Sequence, residues 1–101
     1  MTEAGPDNDL NIQHQRQNGR GRYWARVSGG EAELTYILRD DGVMIIDHTF
    51  TPPQARGQSI ARKLVEHVIA EARKDGFLID PQCSYVDKLF QRRAEWAPLR
   101  A

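Results

Sequence analysis

Apolar residues recur at every second position over much of the first half of the chain, as they do in half-buried β-strands. The alternation is clearest from Ala32 to Leu38 and repeats from Arg22 to Val27. Val43 to Phe50 begins with an unbroken apolar run, which is typical of a strand covered on both faces. Leu10 to Gln17 alternates only weakly and is compatible with a short edge strand. The three clear segments predict an antiparallel meander.

Glycines and prolines separate these segments. We expect Gly19 and Gly21 to end the weak first segment and Ser28-Gly29-Gly30 to form a tight turn. Asp40-Asp41-Gly42 has the composition of a hairpin turn. Pro52-Pro53 must end the third strand, because proline donates no ladder hydrogen bond.

From Ile60 the apolar spacing becomes that of an amphipathic helix. The apolar stripe consists of Ile60, Ala61, Leu64, Val65, Val68, Ile69 and Ala72. Arg73 and Lys74 suit the negative C-terminal end of the helix dipole, and Gly76 is a natural end for the helix.

Two shorter elements follow. Residues 77–79 predict a short buried strand, closed by an Asp-Pro pair. We expect Ser84 to cap a second helix with Asp87 in the capping-box position, and the tail from Ala94 to pack through Trp96. The pattern as a whole predicts an α/β fold with a mixed sheet: an antiparallel meander, then a strand–helix–strand unit, then a short C-terminal helix. The crossover is right-handed if its two strands are parallel.

Composition narrows the class of protein. The 101 residues are 40% hydrophobic and 28% charged, which indicates one globular domain over residues 10–101. Residues 1–9 are polar and acidic and predict a disordered tail rather than a signal peptide. Fourteen basic and fourteen acidic residues give zero net charge, which argues against a nucleic-acid partner. No apolar run reaches the roughly 18 residues of a membrane span.

One cysteine excludes an internal disulfide and a cysteine-rich zinc site, and we assign no metal ligand. An unpaired thiol fits a reducing compartment, so we expect a cytoplasmic protein.

The junction between the third strand and the long helix carries the most informative chemistry. The first N–H groups of a helix have no internal partner and bind anions beside the positive end of the dipole. Gly57 lets a phosphate approach the backbone closely, Ser59 is small, and Arg56 adds positive charge. These residues are compatible with a pyrophosphate cradle and equally with a plain strand-to-helix connection.

The segment Gln54-Ala55-Arg56-Gly57-Gln58-Ser59 resembles the Gln/Arg-x-x-Gly-x-Gly/Ala signature of the GNAT superfamily of N-acetyltransferases. The wider pattern is similar to that of its short single-domain branch, with His48-Thr49 at the strand end and Pro81-x-Cys83-Ser84-Tyr85 after the next strand. The resemblance covers about residues 22–96. Ser59 departs from it, because the family usually has Gly or Ala there.

The resemblance implies that acetyl-CoA is the cosubstrate and that its pyrophosphate is held by backbone groups of the signature loop. The pantetheine arm would lie along the edge of the third strand, and the acyl end would lie near the turn before the second helix. The implied cofactor-binding residues are Thr49, Phe50, Thr51, Arg56, Gly57, Gln58, Ser59, Ile60, Cys83 and Ser84.

Three residues are candidates for catalysis. His48 is the candidate base, since imidazole exchanges protons near neutral pH, and we expect Asp47 to point to the opposite face. Tyr85 matches the family's general acid, although we favour the simpler interpretation that its ring only packs in the core. Cys83, just before a helix N-terminus, is either a transient acyl acceptor or a residue that lines the cofactor.

The predicted function is transfer of an acetyl group from acetyl-CoA to an amine. The chain is short for the superfamily, so we expect an open acceptor groove suited to an exposed lysine or peptide, with any missing wall supplied by a second copy; monomer and homodimer stay open. One alternative is a CoA-binding module with little or no transferase activity. Another is an RNA-binding protein that uses the early arginines Arg16, Arg20, Arg22 and Arg26 with Tyr23 and Trp24.

Overall fold

A computed structural model describes residues 10–101, so the predicted tail over residues 1–9 lies outside the described residues. The strands are β1 (Gln13–Gln17), β2 (Arg20–Val27), β3 (Gly30–Leu38), β4 (Val43–Phe50) and β5 (Leu78–Pro81). The helices are α1 (Ile60–Asp75) and α2 (Ser84–Arg92), and two 3₁₀ helices cover Pro53–Ala55 and Ala94–Leu99.

The five strands form one sheet in the order in which they occur along the chain. The first four pair antiparallel with their neighbours, and β5 lies parallel to β4. The mixed α/β fold with an antiparallel meander followed by strand–helix–strand is therefore confirmed. The helix α1 makes the long connection that a parallel pair needs.

The core lies between one face of the sheet and the two helices. Of the predicted helical stripe, all but the partly buried Ala61 are buried. Alternate residues of β2, β3 and β4 meet that stripe: Tyr23, Ala32, Leu34, Tyr36, Met44 and Ile46. The intervening residues of β3 are only partly buried, because they face away from the helices. We call this second surface the open face of the sheet.

The edge strand β1 (Gln13–Gln17) is shorter than the Leu10 to Gln17 segment that the sequence pattern indicated. Its polar side chains hold it against the sheet. The His14 ring stacks on the Tyr23 ring with centroids 3.9 Å apart. The His14 Nε2 atom lies 2.6 Å from the Tyr36 hydroxyl, which also accepts a hydrogen bond from Arg16 Nε. Which of the two groups donates in the contact between His14 and the hydroxyl depends on the tautomer of the imidazole.

The first hairpin turn differs from the prediction. Asn18 and Gly19 both have positive φ and form the turn, while Gly21 lies inside β2 opposite Tyr36. A Cβ at Gly21 would lie 2.0 Å from the Tyr36 ring. Gly21 is therefore needed for close packing and does not end an element.

The strand after α1 is also less buried than predicted. Leu78 is 42% exposed, whereas Ile79 is fully buried, because successive side chains of a strand point to opposite faces of the sheet. The C-terminal segment packs through buried Trp96 as expected.

Candidate functional site

The connection from β4 to α1 contains two left-handed residues. Gly57 has φ of 84° and Ser59 has φ of 62°, and α1 begins directly after Ser59. Within the described chain no side chain caps this helix, and its first turn holds no acidic residue. The positive end of the helix dipole is thus left uncompensated, which favours an anion at this point.

A pocket of about 190 Å³ opens beside the start of α1. Its lining consists of Thr51, Ala55, Arg56, Gly57, Ser59, Ile60, Ala61 and Tyr85. The Thr51 Oγ1 atom is buried there and finds no hydrogen-bond partner among residues 10–101. Because an unsatisfied buried hydroxyl costs about 1–3 kcal/mol, this atom favours a ligand that offers it a polar partner.

Arg56 adds a positive charge to the rim of the pocket. Its Nε donates to the Thr51 carbonyl oxygen at 3.0 Å and its side chain is exposed. A Cβ built at Gly57 would meet no atom of the described chain within 4 Å. The surface above Gly57 is therefore open to a ligand, and Arg56 can neutralise part of a ligand's negative charge.

The strands β4 and β5 separate from each other after a short paired stretch. Their pairing ends at Ile46 and Pro81, and the next two amides, of Gln82 and Cys83, both donate to the Ile46 carbonyl. Beyond Ile46, β4 stays paired with β3 as far as Phe50. The β5 side of residues 47–50 has no strand partner in the described structure, so an extended ligand has room to pair there.

Thr49 and Cys83 stand on the two sides of this gap. The Thr49 Oγ1 and Cys83 Sγ atoms are 3.5 Å apart, and Cys83 is half-buried. The structure thus brings the predicted thiol to the same gap as the predicted strand-edge residues.

The start of α2 differs from the prediction by one residue. The N-terminal cap is Cys83, in an extended conformation, and Ser84 is already the first helical residue without a capping bond. The Cys83 amide is held by Ile46, which fixes where the helix can begin. The Asp87 carboxylate instead accepts hydrogen bonds from Gln91 and Arg100.

Tyr85 does not pack in the core, so that interpretation is wrong. Its side chain is 37% exposed and lines the pocket at the start of α1. Burial of the phenol raises the pKa of Tyr85, and the nearby charge of Arg62 offsets part of this rise. It therefore remains protonated near neutral pH and can donate a hydrogen bond to a ligand.

His48 and Asp47 share the open face, which corrects the expectation that they point to opposite faces. The β3–β4 register shifts at Thr35 and Tyr36, so that β4 carries one extra residue. Such a bulge turns two successive side chains the same way. Thr35 Oγ1 donates to Asp47 Oδ1 at 2.7 Å, and His48 Nε2 lies 3.2 Å from Glu33 Oε2. Sequence alternation alone gave no sign of Glu33, because its contact depends on this register.

Three of the four early arginines, Arg20, Arg22 and Arg26, alternate along β2 on the same face of the sheet. Arg16 reaches the helix side of the sheet through Tyr36, whereas Arg22 lies on the open face and pairs with Glu31 and Glu33. This pairing offsets the charge of Arg22, and Tyr23, one of the two aromatic residues in the RNA-binding alternative, is buried in the core. Both observations count against that alternative.

Within residues 10–101, neither helix combines the length and apolar character needed to cross a membrane.

The fold is similar to that of several solved structures. A GCN5-like protein from Staphylococcus aureus matches with 20% identity and a TM-score of 0.64, over 90% of this chain and 89% of that chain. A Klebsiella pneumoniae protein described as an acyl-CoA N-acyltransferase matches with 20% identity and a TM-score of 0.58, over 78% of this chain and 59% of that chain. A ribosomal-protein-alanine N-acetyltransferase from Brucella melitensis biovar Abortus matches with 18% identity and a TM-score of 0.57, over 76% of this chain and 64% of that chain.

The sequence profile of the GCN5-related N-acetyl-transferase family matches residues 22–99. This range runs from β2 to the end of the C-terminal 3₁₀ helix and includes the signature loop, the pocket and the strand gap. The chain therefore belongs to the GCN5-related N-acetyl-transferase family and is by class an acyl-CoA-dependent N-acyltransferase.

Proposed function

We propose that this protein transfers an acetyl group from acetyl-CoA to a primary amine of an exposed lysine or peptide. The observation that carries the proposal is the buried, unpartnered Thr51 Oγ1 beside the uncapped start of α1. The residues present fit the cosubstrate, because a phosphate there would meet helix amides and the Arg56 guanidinium. Amides of an extended arm would meet the unpaired edge of β4.

We assign the binding of the pyrophosphate to the loop and first helical turn, at Arg56, Gly57, Gln58, Ser59 and Ile60. The pantetheine arm would run along Thr49, Phe50 and Thr51. Cys83 and Ser84 would line the acyl end, where Cys83 faces Thr49 across the gap. Backbone donors hold charged oxygens well in such a place, since charge-assisted hydrogen bonds are about twice as strong as neutral ones.

His48 is the base in this proposal. It is exposed on the open face, from which an acceptor can approach the gap without crossing the helix layer. It takes one proton from the acceptor ammonium, and the neutral amine then attacks the thioester carbonyl carbon. The carbon–sulfur bond breaks, the thiolate takes a proton from the attacking nitrogen through Tyr85 or water, and imidazolium returns its proton to solvent.

Cys83 lines the acyl end in this proposal and is not the nucleophile. Its sulfur already contacts the Thr49 hydroxyl, and a free cysteine at a half-buried site usually packs as a small apolar group. An acyl adduct on Cys83, detected by mass spectrometry of the purified protein, would overturn this assignment.

The open face also bears on the acceptor. Residues of β3 on this face are only partly buried, and Phe50 beside the gap is 43% exposed. A broad surface of this kind suits a peptide or protein lysine better than an enclosed small molecule. The single unpaired thiol is consistent with a cytoplasmic setting.

The experiment combines calorimetry with a thiol-release assay. Titration with CoA and acetyl-CoA measures binding, and release of free CoA thiol is then followed with lysine peptides and small amines. His48→Ala should keep acetyl-CoA affinity and lose most turnover, and Tyr85→Phe should lower the maximal rate with little change in unfolding temperature. Binding without thiol release for any amine would favour the CoA-binding module, and absence of binding would refute the proposal.

A further inference from the structure

Glu33 connects the candidate base to a fixed arginine on the open face. One carboxylate oxygen, Oε1, accepts a hydrogen bond from Arg22 Nε at 2.7 Å. The other, Oε2, lies 3.2 Å from His48 Nε2. The Glu33 side chain is 25% exposed, against 51% for His48, so the carboxylate is the more enclosed of the two.

This contact selects one tautomer of the imidazole. The two atoms lie at ion-pair distance, and because an ionised carboxylate attracts an N–H group and repels a lone pair, the contact favours the tautomer with its proton on His48 Nε2. The other ring nitrogen, Nδ1, then carries the lone pair and is the atom that can accept a proton.

Arg22 keeps Glu33 in place. Its guanidinium donates to Glu31 as well as Glu33 and lies 4.7 Å from the centroid of the Trp24 ring. The Nε hydrogen bond to Glu33 and the contact with the Trp24 ring do not involve Glu31, and together they limit the freedom of the guanidinium to swing away. The Glu33 oxygen that faces His48 therefore has a defined position before any acceptor arrives.

The alternative carboxylate on this face does not serve His48. Asp47 is the next residue in the chain and is turned the same way by the bulge, but its Oδ1 accepts from Thr35. Exposed ion pairs contribute little to the free energy of folding. Stability alone is therefore a weak explanation for the series of contacts that links Arg22, Glu33 and His48.

We propose that Glu33 is a positioning residue for the transfer reaction, which orients the His48 ring and holds it as the Nε2–H tautomer. This inference rests on the proposed role of His48 as the base. In the reaction, Nδ1 of His48 takes one proton from the acceptor ammonium and the freed amine forms the bond to the acyl carbon. The carbon–sulfur bond then breaks, and the thiolate takes the second proton of the attacking nitrogen through Tyr85 or water. The imidazolium, paired with Glu33, then returns the first proton to water.

Glu31 offers a matched control. It accepts from Arg22 at 2.8 Å, lies two residues earlier in β3, and shares the open face. Glu31→Ala therefore removes an equivalent exposed ion pair of Arg22 without touching the contact to His48. Glu33→Gln is a conservative variant, because its amide oxygen can still accept from Nε2–H but carries no charge.

The first measurement needs no turnover. Nitrogen-15 NMR of the imidazole side chains in the ligand-free protein at pH 8 reports which ring nitrogen carries the proton. The wild type, Glu31→Ala and Glu33→Gln should all show the Nε2–H form for His48, and Glu33→Ala should show a mixture of tautomers. An unchanged His48 spectrum in Glu33→Ala would overturn the proposal.

The second measurement separates positioning from binding. Thiol release by Glu33→Ala should have a maximal rate lower by about 10-fold or more with an unchanged KM for acetyl-CoA. Glu33→Gln should fall between it and the wild type, and Glu31→Ala should stay within about twofold. Equal rates for the two alanine variants would overturn the proposal.

The two failures are distinguishable. If the wild type releases no thiol with any amine, or if His48→Ala keeps the full rate, the proposed function fails. The tautomer measurement then still decides whether Glu33 orients the ring.

Discussion

Gly57 and Gly42 allow ligand binding to be separated from backbone strain by a matched pair of substitutions. Their φ angles are +84° and +85°, and within residues 10–101 a Cβ built at either meets no atom within 4 Å. Alanine in this left-handed region costs about 1–2 kcal/mol. For a domain of this size, each kcal/mol lowers Tm by about 4–8 °C. We expect Gly57→Ala and Gly42→Ala to lose similar stability without ligand.

The two variants should differ when CoA is added. Ligand at one hundred times its Kd stabilises the folded state by about 2.7 kcal/mol, which corresponds to roughly 10–20 °C in Tm. Gly42 lies in the β3–β4 turn, away from the pocket, so Gly42→Ala should keep this gain. The new methyl group of Gly57→Ala projects into the space that the phosphates would occupy, and a tenfold loss of affinity reduces the gain by about 1.4 kcal/mol.

Thermal unfolding with and without CoA measures both quantities in one series, and calorimetry gives the affinities directly. If CoA raises Tm equally in both variants, the backbone around Gly57 does not hold the ligand. If Gly42→Ala is much less stable than Gly57→Ala without ligand, the two sites are not matched and the strain estimate is wrong.

Substitutions of Thr51, Ser59 and His14 test three further contacts. Thr51→Val removes the unpartnered hydroxyl, so the ligand-free protein should gain about 1 kcal/mol while CoA affinity falls; lower stability in thermal unfolding would contradict this. Ser59→Gly should stabilise the fold by about 0.5–1 kcal/mol by relieving left-handed strain, whereas Ser59→Ala keeps the strain and should change unfolding little. Burial, and then Arg16, lower the pKa of His14 below its ordinary 6.5, so the unfolded chain takes up this proton at a higher pH than the folded one. The free energy of unfolding should therefore fall as pH drops through 6.5 and below. Urea unfolding of His14→Gln across that range should show a shallower dependence on pH, and a dependence identical to that of the wild type would refute the assignment.

The long helix and the signature loop could be predicted because both depend on local features. An apolar stripe of helical spacing needs only one surface to pack against, and α1 ends at Gly76 as its composition indicated. The turn at Asn18-Gly19 could also be predicted from the sequence, because Asn-Gly is a strong signal for a two-residue hairpin. The prediction overlooked it and gave Gly21 a role that the Tyr36 ring contradicts.

The relation between His48 and its neighbours could not be predicted in the same way. Strict alternation separates Asp47 from His48, and only the pairing of β4 with β3 reveals the extra residue. The start of α2 depends likewise on a distant group, because the Ile46 carbonyl holds the Cys83 amide in an extended segment. Contacts between segments far apart in sequence decide both features.

The bare stretch of β4 after Ile46 has a consequence for the protein without its substrate. Exposed strand edges recruit other polypeptides and promote aggregation, and natural sheets protect them with prolines, bulges and short length. Here the bulge lies at the start of the stretch, and Pro52 and Pro53 follow soon after its end. The unpaired edge is therefore too short to bind a strand of another polypeptide, yet long enough for a narrow ligand that carries its own amide groups. The same few backbone groups are therefore both shielded from strand addition and open to a narrow ligand.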